Sequence, residues 1–238
     1  MRPKRQSTIN SSRVRLENEN RAFAQLIPEN SMVLDAGAGT APYRHLFNHT
    51  NYETADFQKV DKEYEPATYI CDLSAIPVED NRFDYIIFNQ VMEHLPNPTA
   101  VLKELNRVLK NDGKIIYTAP LFYEEHEQPY DFFRYTQYGV RHLFKEAGFD
   151  VERLEWLEGY FGTVAYELSC MGKYLRCARS ELSEVRRPAV AYFALRTTAT
   201  VAKWLSSFFH QLELQQKFTA RGFPKNYVAI ARKVSQVK

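Results

Sequence analysis

Two glycines one residue apart follow an aspartate at the end of an apolar run, Asp35, Gly37 and Gly39 in MVLDAGAG. Glycine at such a place lets the backbone turn sharply and approach a ligand closely. Asp56, 21 residues after Asp35, closes the next apolar stretch. A carboxylate there is placed to accept hydrogen bonds from ribose hydroxyls. Asp72, in Cys71-Asp72-Leu73, closes a third stretch and can accept from the exocyclic amine of an adenine. These residues together call for a cofactor with an adenosine moiety. A dinucleotide fingerprint would place a third glycine where Pro42 stands, so a nicotinamide-dependent oxidoreductase is the weaker alternative.

A second group of chemistry-bearing residues lies further along. His94 sits in Met92-Glu93-His94-Leu95-Pro96, directly after an apolar stretch. Tyr123, His126, Tyr130, Asp131, Arg134 and Tyr135 crowd the segment from Leu121 to Tyr135. A base such as His or Asp within reach of an acceptor hydroxyl speeds its attack on an electrophile. His126 is the expected general base or acceptor ligand, with Asp131 orienting it or Arg134. Arg134 also suits a carboxylate or phosphate on an acceptor. An Asp131–Arg134 ion pair that only fixes the loop is the competing expectation. No metal site is expected, because Cys71, Cys170 and Cys177 lack ligand spacing, and their odd number argues for a reducing compartment.

The elements that must position these residues alternate. Residues 13–27 read as a helix ended by Pro28, and Ser31–Asp35 as a short buried strand. A helix is expected around Tyr43–Phe47, then strands at Asn51–Asp56 and Thr68–Cys71. Phe83–Asn89 (FDYIIFN) is apolar enough for a strand covered on both faces. Asn97 and Pro98 start a helix whose face is Val101, Leu102, Leu105, Val108 and Leu109, with Gly113 expected to close it. Lys114–Ala119 is a strand stopped by Pro120. Thr136 caps a helix carrying Val140, Leu143, Phe144 and Ala147, ended by Gly148. After a strand at Val151–Leu157, residues 163–215 read as mainly helical, and Asn226–Lys233 returns to strand. Such alternation predicts an α/β fold, a parallel sheet with helices on both faces.

VLDAGAGT, Asp56, CDLSAIPVEDNRFDYIIFNQVMEHLPNP and ELNRVLKNDGKIIYTAP together resemble the class I S-adenosylmethionine-dependent methyltransferase family, in the small-molecule branch related to ubiquinone-type enzymes. The resemblance covers roughly residues 30–150. It implies a Rossmann-like, seven-stranded, mostly parallel sheet of order 3-2-1-4-5-7-6, and S-adenosyl-L-methionine as cofactor. It assigns Asp35, Gly37, Gly39 and Thr40 to the methionyl side, Asp56 to ribose, and Asp72 and Leu73 to adenine. Phe57 would flank the adenine ring, and Asn89 and Gln90 would line the cofactor. His126, Pro129, Asp131, Arg134 and Thr136 are similar to an H-x-x-P-x-D-x-x-R-x-T segment of bacterial methyltransferases associated with polysaccharide and surface-glycan pathways.

The expected reaction is O-methylation of a small-molecule, sugar or lipid-linked acceptor by in-line displacement, in which alignment supplies most of the rate gain. A non-catalytic methyltransferase-like binding subunit is the alternative. The expected organisation is one methyltransferase domain over 1–238. Residues 1–30 hold an N-terminal helix, 31–160 the cofactor core, 161–225 a helical cap and 226–238 the last strand and tail.

Charge is uneven, with twelve Lys/Arg against three Glu from Arg176 to Lys238. That excess suits an anionic partner or a membrane surface. Residues 188–210 are apolar but hold Arg196 and Lys203, so a spanning helix is not expected. A core or dimer helix, a cover for the acceptor pocket and a helix lying on a membrane are the readings left open. No nucleic-acid module is found. The polar, basic first fifteen residues lack the apolar run of a secretory signal. The expected location is the cytoplasm, including the inner face of a membrane.

Overall fold

The computed structural model describes residues 10–60 and 63–234. The first nine residues of the expected N-terminal stretch and the last four of the expected tail lie outside the described residues. Two compact units form. One takes Arg15–Leu157 together with the chain from Asn226 onward, and the other takes Glu158–Lys225 together with the chain up to Val14.

The first unit is built on β1 (Met32–Ala36), β2 (Asn51–Asp56), β3 (Tyr69–Ile70), β4 (Phe83–Asn89), β5 (Leu109–Pro120), β6 (Phe149–Trp156) and β7 (Asn226–Lys233). They form one sheet in the expected order β3-β2-β1-β4-β5-β7-β6. Pairing from β3 through β5 is parallel, and β7 runs antiparallel to both β5 and β6.

Neighbouring side chains on a strand point to opposite faces, and here both faces are covered. Leu34, Ile86 and Ile115 enter one core, while Val33, Ile87 and Ile116 enter the other. The first core is closed by α2 (Pro98–Val108) and α3 (Gln137–Glu146), the second by Phe23 and Ala24 of α1 (Ser11–Ala24). This double burial is why β4 reads as an unbroken apolar run.

The caps behave as their residue types dictate. The Asn97 side chain accepts from the Ala100 N–H at 3.2 Å, and Thr136 accepts from the Gly139 N–H at 3.2 Å. Each satisfies a donor that the first helical turn leaves open. Two expectations need correction. Gly113 does not close α2. The helix ends at Val108 and the chain passes straight into β5, where Gly113 is buried. A Cβ on Gly113 would fall 2.8 Å from the Leu109 side chain and 2.9 Å from the Asp84 carbonyl oxygen, so the glycine serves packing. The expected helix at Tyr43–Phe47 is a single 3₁₀ turn, Arg44–Leu46, without a side-chain cap. With no buried residue, it has no apolar face to extend it.

In the second unit α4 (Tyr160–Tyr174) packs on α5 (Pro188–Gln215). Gly172 makes the approach close, since a Cβ there would lie 3.2 Å from the Lys203 Cβ. The Ser206 hydroxyl donates to the Ala165 carbonyl at 2.7 Å. Glu213, fully buried, accepts from the Gly159 N–H at 2.8 Å and the Gly162 N–H at 3.2 Å. A carboxylate at the start of α4 meets the open donors and positive end of that helix.

Candidate active site

In an open α/β sheet ligands bind beyond the strand ends where the strand order reverses, here between β1 and β4. The sheet leaves a cavity of about 310 Å³ at that place. Gly37, Asp56, Asp72, Gln90 and His94 contribute to its wall, and the loop after β5 adds Glu127, Tyr130 and Phe132.

The glycine turn forms because its backbone takes angles that side chains resist. Gly37 has φ of 78° and Gly39 φ of 54°. A Cβ on Gly37 would also lie 2.4 Å from Val91, whereas one on Gly39 would meet nothing within 4 Å. Space is therefore limiting at Gly37, whereas at Gly39 only the backbone conformation favours glycine.

Asp56 is held by the turn it faces. One carboxylate oxygen accepts from the Gly39 N–H at 2.9 Å, the other from the Gln58 N–H at 2.9 Å. Each oxygen keeps a lone pair for a ribose hydroxyl. Asp72 uses a single oxygen to accept from the Ser74 N–H and hydroxyl, both at 2.8 Å. Those two bonds hold its carboxyl below the usual range, and the second oxygen remains open to an adenine amine. Leu73 and Phe57 complete the apolar wall, with Tyr130 edge-on to Phe57 at 5.5 Å. These acceptors and the apolar wall fit an adenosine.

Other expected cofactor residues stand behind the wall. Asp35 is buried and receives the Tyr52 hydroxyl. Burial outweighs that bond and pushes its carboxyl up to about 6. Asn89 donates to Asn20 at 2.7 Å and accepts from Thr118 at 2.9 Å, so its amide braces β4 and β5. Gln90 does line the cavity, with a backbone φ of 57°. Thr40 is exposed on the turn and is not part of the wall.

The four expected catalytic residues come together, with unequal access. The loop after β5 is fastened to residues 92–94. Phe132 N–H donates to the Glu93 carbonyl at 2.9 Å, and the Tyr135 hydroxyl to the Met92 carbonyl at 3.1 Å. His94 Nδ1 lies 2.6 Å from the Tyr130 carbonyl, so it carries the proton and leaves Nε2 as an acceptor. His94 lines the cavity. His126 stacks edge-on against it at 4.6 Å, outside the wall.

Asp131 accepts from the His126 N–H at 2.8 Å and pairs with Arg134 at 2.6 and 2.8 Å. The guanidinium holds the Asp131 carboxyl well below the carboxylate range. Arg134 also donates to the carbonyls of Tyr123, Glu124 and Phe133. These contacts use all five of its N–H groups and leave none for an acceptor anion.

The residue that the sequence reading left without a role is Glu93. It is fully buried, and neither carboxylate oxygen has a hydrogen-bond partner on another described residue. Burial pushes its carboxyl up to about 8. With His94 and His126 it sets three ligand-type atoms within 4.8 Å of one another. Lys59 and Ser74 of the wall also escaped the sequence reading. The crowding of aromatic and acidic residues between Leu121 and Tyr135 was the one signal for the loop.

Comparison with known proteins agrees with this geometry. Residues 34–117 match a methyltransferase domain family. The chain is 26% identical over 171 residues to an uncharacterized protein of Methanocaldococcus jannaschii, covering 60% of this chain and 83% of that one. It is 42% identical over 57 residues to a demethylmenaquinone methyltransferase of Staphylococcus saprophyticus, covering 21% of this chain and only 24% of that enzyme. A S-adenosylmethionine-dependent methyltransferase from Archaeoglobus fulgidus shares the fold with a TM-score of 0.54 and 16% identity, covering 93% of this chain and 94% of that one. The matched segment runs from β1 into β5 and holds the glycine turn, both strand-end acids and His94, so over those residues the chain is similar to methyltransferase domains.

Proposed function

We propose that this chain transfers a methyl group to an oxygen of a small-molecule acceptor, a sugar, glycan intermediate or lipid-linked molecule, with His94 as the base. When bound, S-adenosylmethionine supplies the methyl group on a sulfonium, which departs as a neutral thioether. The observation that carries the reading is His94 on the cavity wall, its Nε2 lying 3.9 and 4.0 Å from the carboxylates of Glu93 and Glu127, beyond hydrogen-bond reach of either. The Tyr130 carbonyl fixes its tautomer, and burial pulls its pKa below the ordinary value, so the imidazole is neutral at pH 7. Nε2 can then take the proton of an acceptor hydroxyl as that oxygen attacks. His126, which the sequence favours, supports the His94 ring from behind. Asp131 and Arg134 act as positioning residues that hold the loop against Glu93. A small-molecule acceptor is also supported by the match to an enzyme named for demethylmenaquinone.

Turnover with a panel of hydroxylated acceptors, read as S-adenosylhomocysteine release, tests the assignment. His94→Gln should lower kcat by about 10²–10⁴ while cofactor affinity by titration calorimetry stays unchanged. The wild-type kcat should rise with pH through a pKa below 6.5 and then level off, because the base works only when deprotonated. A His94→Gln enzyme with full kcat would remove the base from this residue. No cofactor binding at millimolar concentration would favour a non-catalytic binding subunit instead.

A further inference from the structure

α5 turns the wrong way for an ordinary packed helix. Its buried positions are Ala199, Ala202, Ser206, His210 and Glu213, which are small or polar. They recur every three or four residues and so share one side of the helix. The opposite side carries Val190, Phe193, Val201, Trp204 and Phe208, at the same helical spacing and all exposed. Phe193 is 68% and Trp204 70% exposed. The stripe extends over 18 residues, about 27 Å of helix, far more than scattered surface apolar residues need.

Its surroundings say what would cover it. No Asp or Glu occurs between Pro188 and Leu212. Arg196 and Lys203, seven residues apart, run along one edge, and Arg186 and Arg187 precede the first turn. A second copy of this helix would bring these cations together with no exposed carboxylate from either helix to pair them, since Glu213 is buried. An anionic bilayer surface supplies the missing charge and takes up Phe and Trp side chains at the depth of its headgroups. Among the described residues no helix is long and apolar enough to cross a membrane.

We propose that the outward face of α5, from Val190 to Phe208, docks flat on an anionic lipid surface. Its aromatic stripe enters the headgroup region, and Arg196 and Lys203 contact lipid phosphates. The proposal stands independently of the acceptor reading.

The test uses the full chain with Trp156→Phe, which leaves Trp204 as its single tryptophan. Vesicles of phosphatidylcholine alone are compared with vesicles containing about one-third phosphatidylglycerol, a composition chosen to give a negative surface. Co-sedimentation and a blue shift of Trp204 emission are expected with the anionic vesicles only. R196Q/K203Q should weaken that binding roughly 25-fold, and F193S/F208S should abolish it. Circular dichroism and cofactor affinity serve as folding controls, and both should be unchanged. Absence of binding to anionic vesicles, or binding indifferent to both double variants, would overturn the proposal. So would a dimer in sedimentation velocity that F193S/F208S dissociates, which would assign the face to a second copy.

Discussion

α2 and α5 both carry apolar stripes, and they point them in opposite directions. α2 buries Val101, Leu102, Leu105 and Val108 against the sheet and shows its polar side to solvent. α5 buries alanines, a serine, a histidine and a glutamate, and shows Val190, Phe193, Val201, Trp204 and Phe208. The buried carboxylates near these helices are reversed as well. Glu213 of α5 is matched by two N–H donors at the start of α4. Glu93, three residues beyond the cavity-lining Gln90, has no hydrogen-bond partner on another described residue for either oxygen. Burial by itself therefore tells little about purpose. Stability accounts for α2 and Glu213, because both the apolar stripe and the polar group are satisfied within the fold. α5 turns its apolar stripe outward, and Glu93 keeps a buried carboxyl with no hydrogen-bond partner on another described residue.

The sharpest way to break this contrast is Glu93→Gln. The carboxyl ionises near its ordinary value when unfolded and near 8 when folded. The unfolded state therefore loses its proton first, and wild-type stability falls as pH rises from about 4.5 to about 8. Glutamine cannot ionise and escapes that loss. At pH 9 the variant should be more stable than wild type by about 3–5 kcal/mol, and at pH 4 the two should coincide in urea titrations. A variant less stable at pH 9 would mean that Glu93 is held as an anion by a group facing it, and the contrast with Glu213 would collapse. Next in size is Leu102→Ala in α2, which empties part of the core against the sheet. It should cost about 2–5 kcal/mol by thermal or urea unfolding. A cost below 1 kcal/mol would show the α2 face to be less tightly packed than its complete burial indicates.

The same contrast separates what the sequence shows from what it hides. Strands β2, β4 and β7 are legible to the residue, because an apolar or alternating run bounded by polar residues has one way to sit in a sheet. Asp56 and Asp72 are legible for a related reason, since a strand that ends on an acid delivers it to the ligand side. Asn89 and Gln90 look equivalent as neighbours, yet one braces the sheet and the other faces the cavity. Gly113 has the form of a helix stop and serves as a packing glycine, because what limits it is the Asp84 carbonyl, which is 29 residues away in sequence. The sequence favours His126 over His94; that His94 is the one on the cavity wall follows from a loop after β5 that folds back through backbone hydrogen bonds, which leave no mark on residue type. The apolar character of α5 was visible in the sequence. Which side would pack depended on small residues allowing close approach to Gly172 of α4, and hydrophobicity does not report that.

The smallest expected effect is the most direct test of the α5 half of the contrast. Phe193→Ser removes a large apolar side chain from the exposed stripe, as Leu102→Ala removes one from a core. Phe193 gains little from folding in solution, because it is exposed before and after. The unfolding free energy in buffer should change by less than about 0.5 kcal/mol. The same substitution would cost several times as much if α5 packed by this face, since the transfer of a Phe ring out of water would be lost. Urea titrations of the two variants side by side read the difference directly. A large loss for Phe193→Ser would place the ring in a contact made in solution, and α5 would then satisfy its apolar stripe as α2 does.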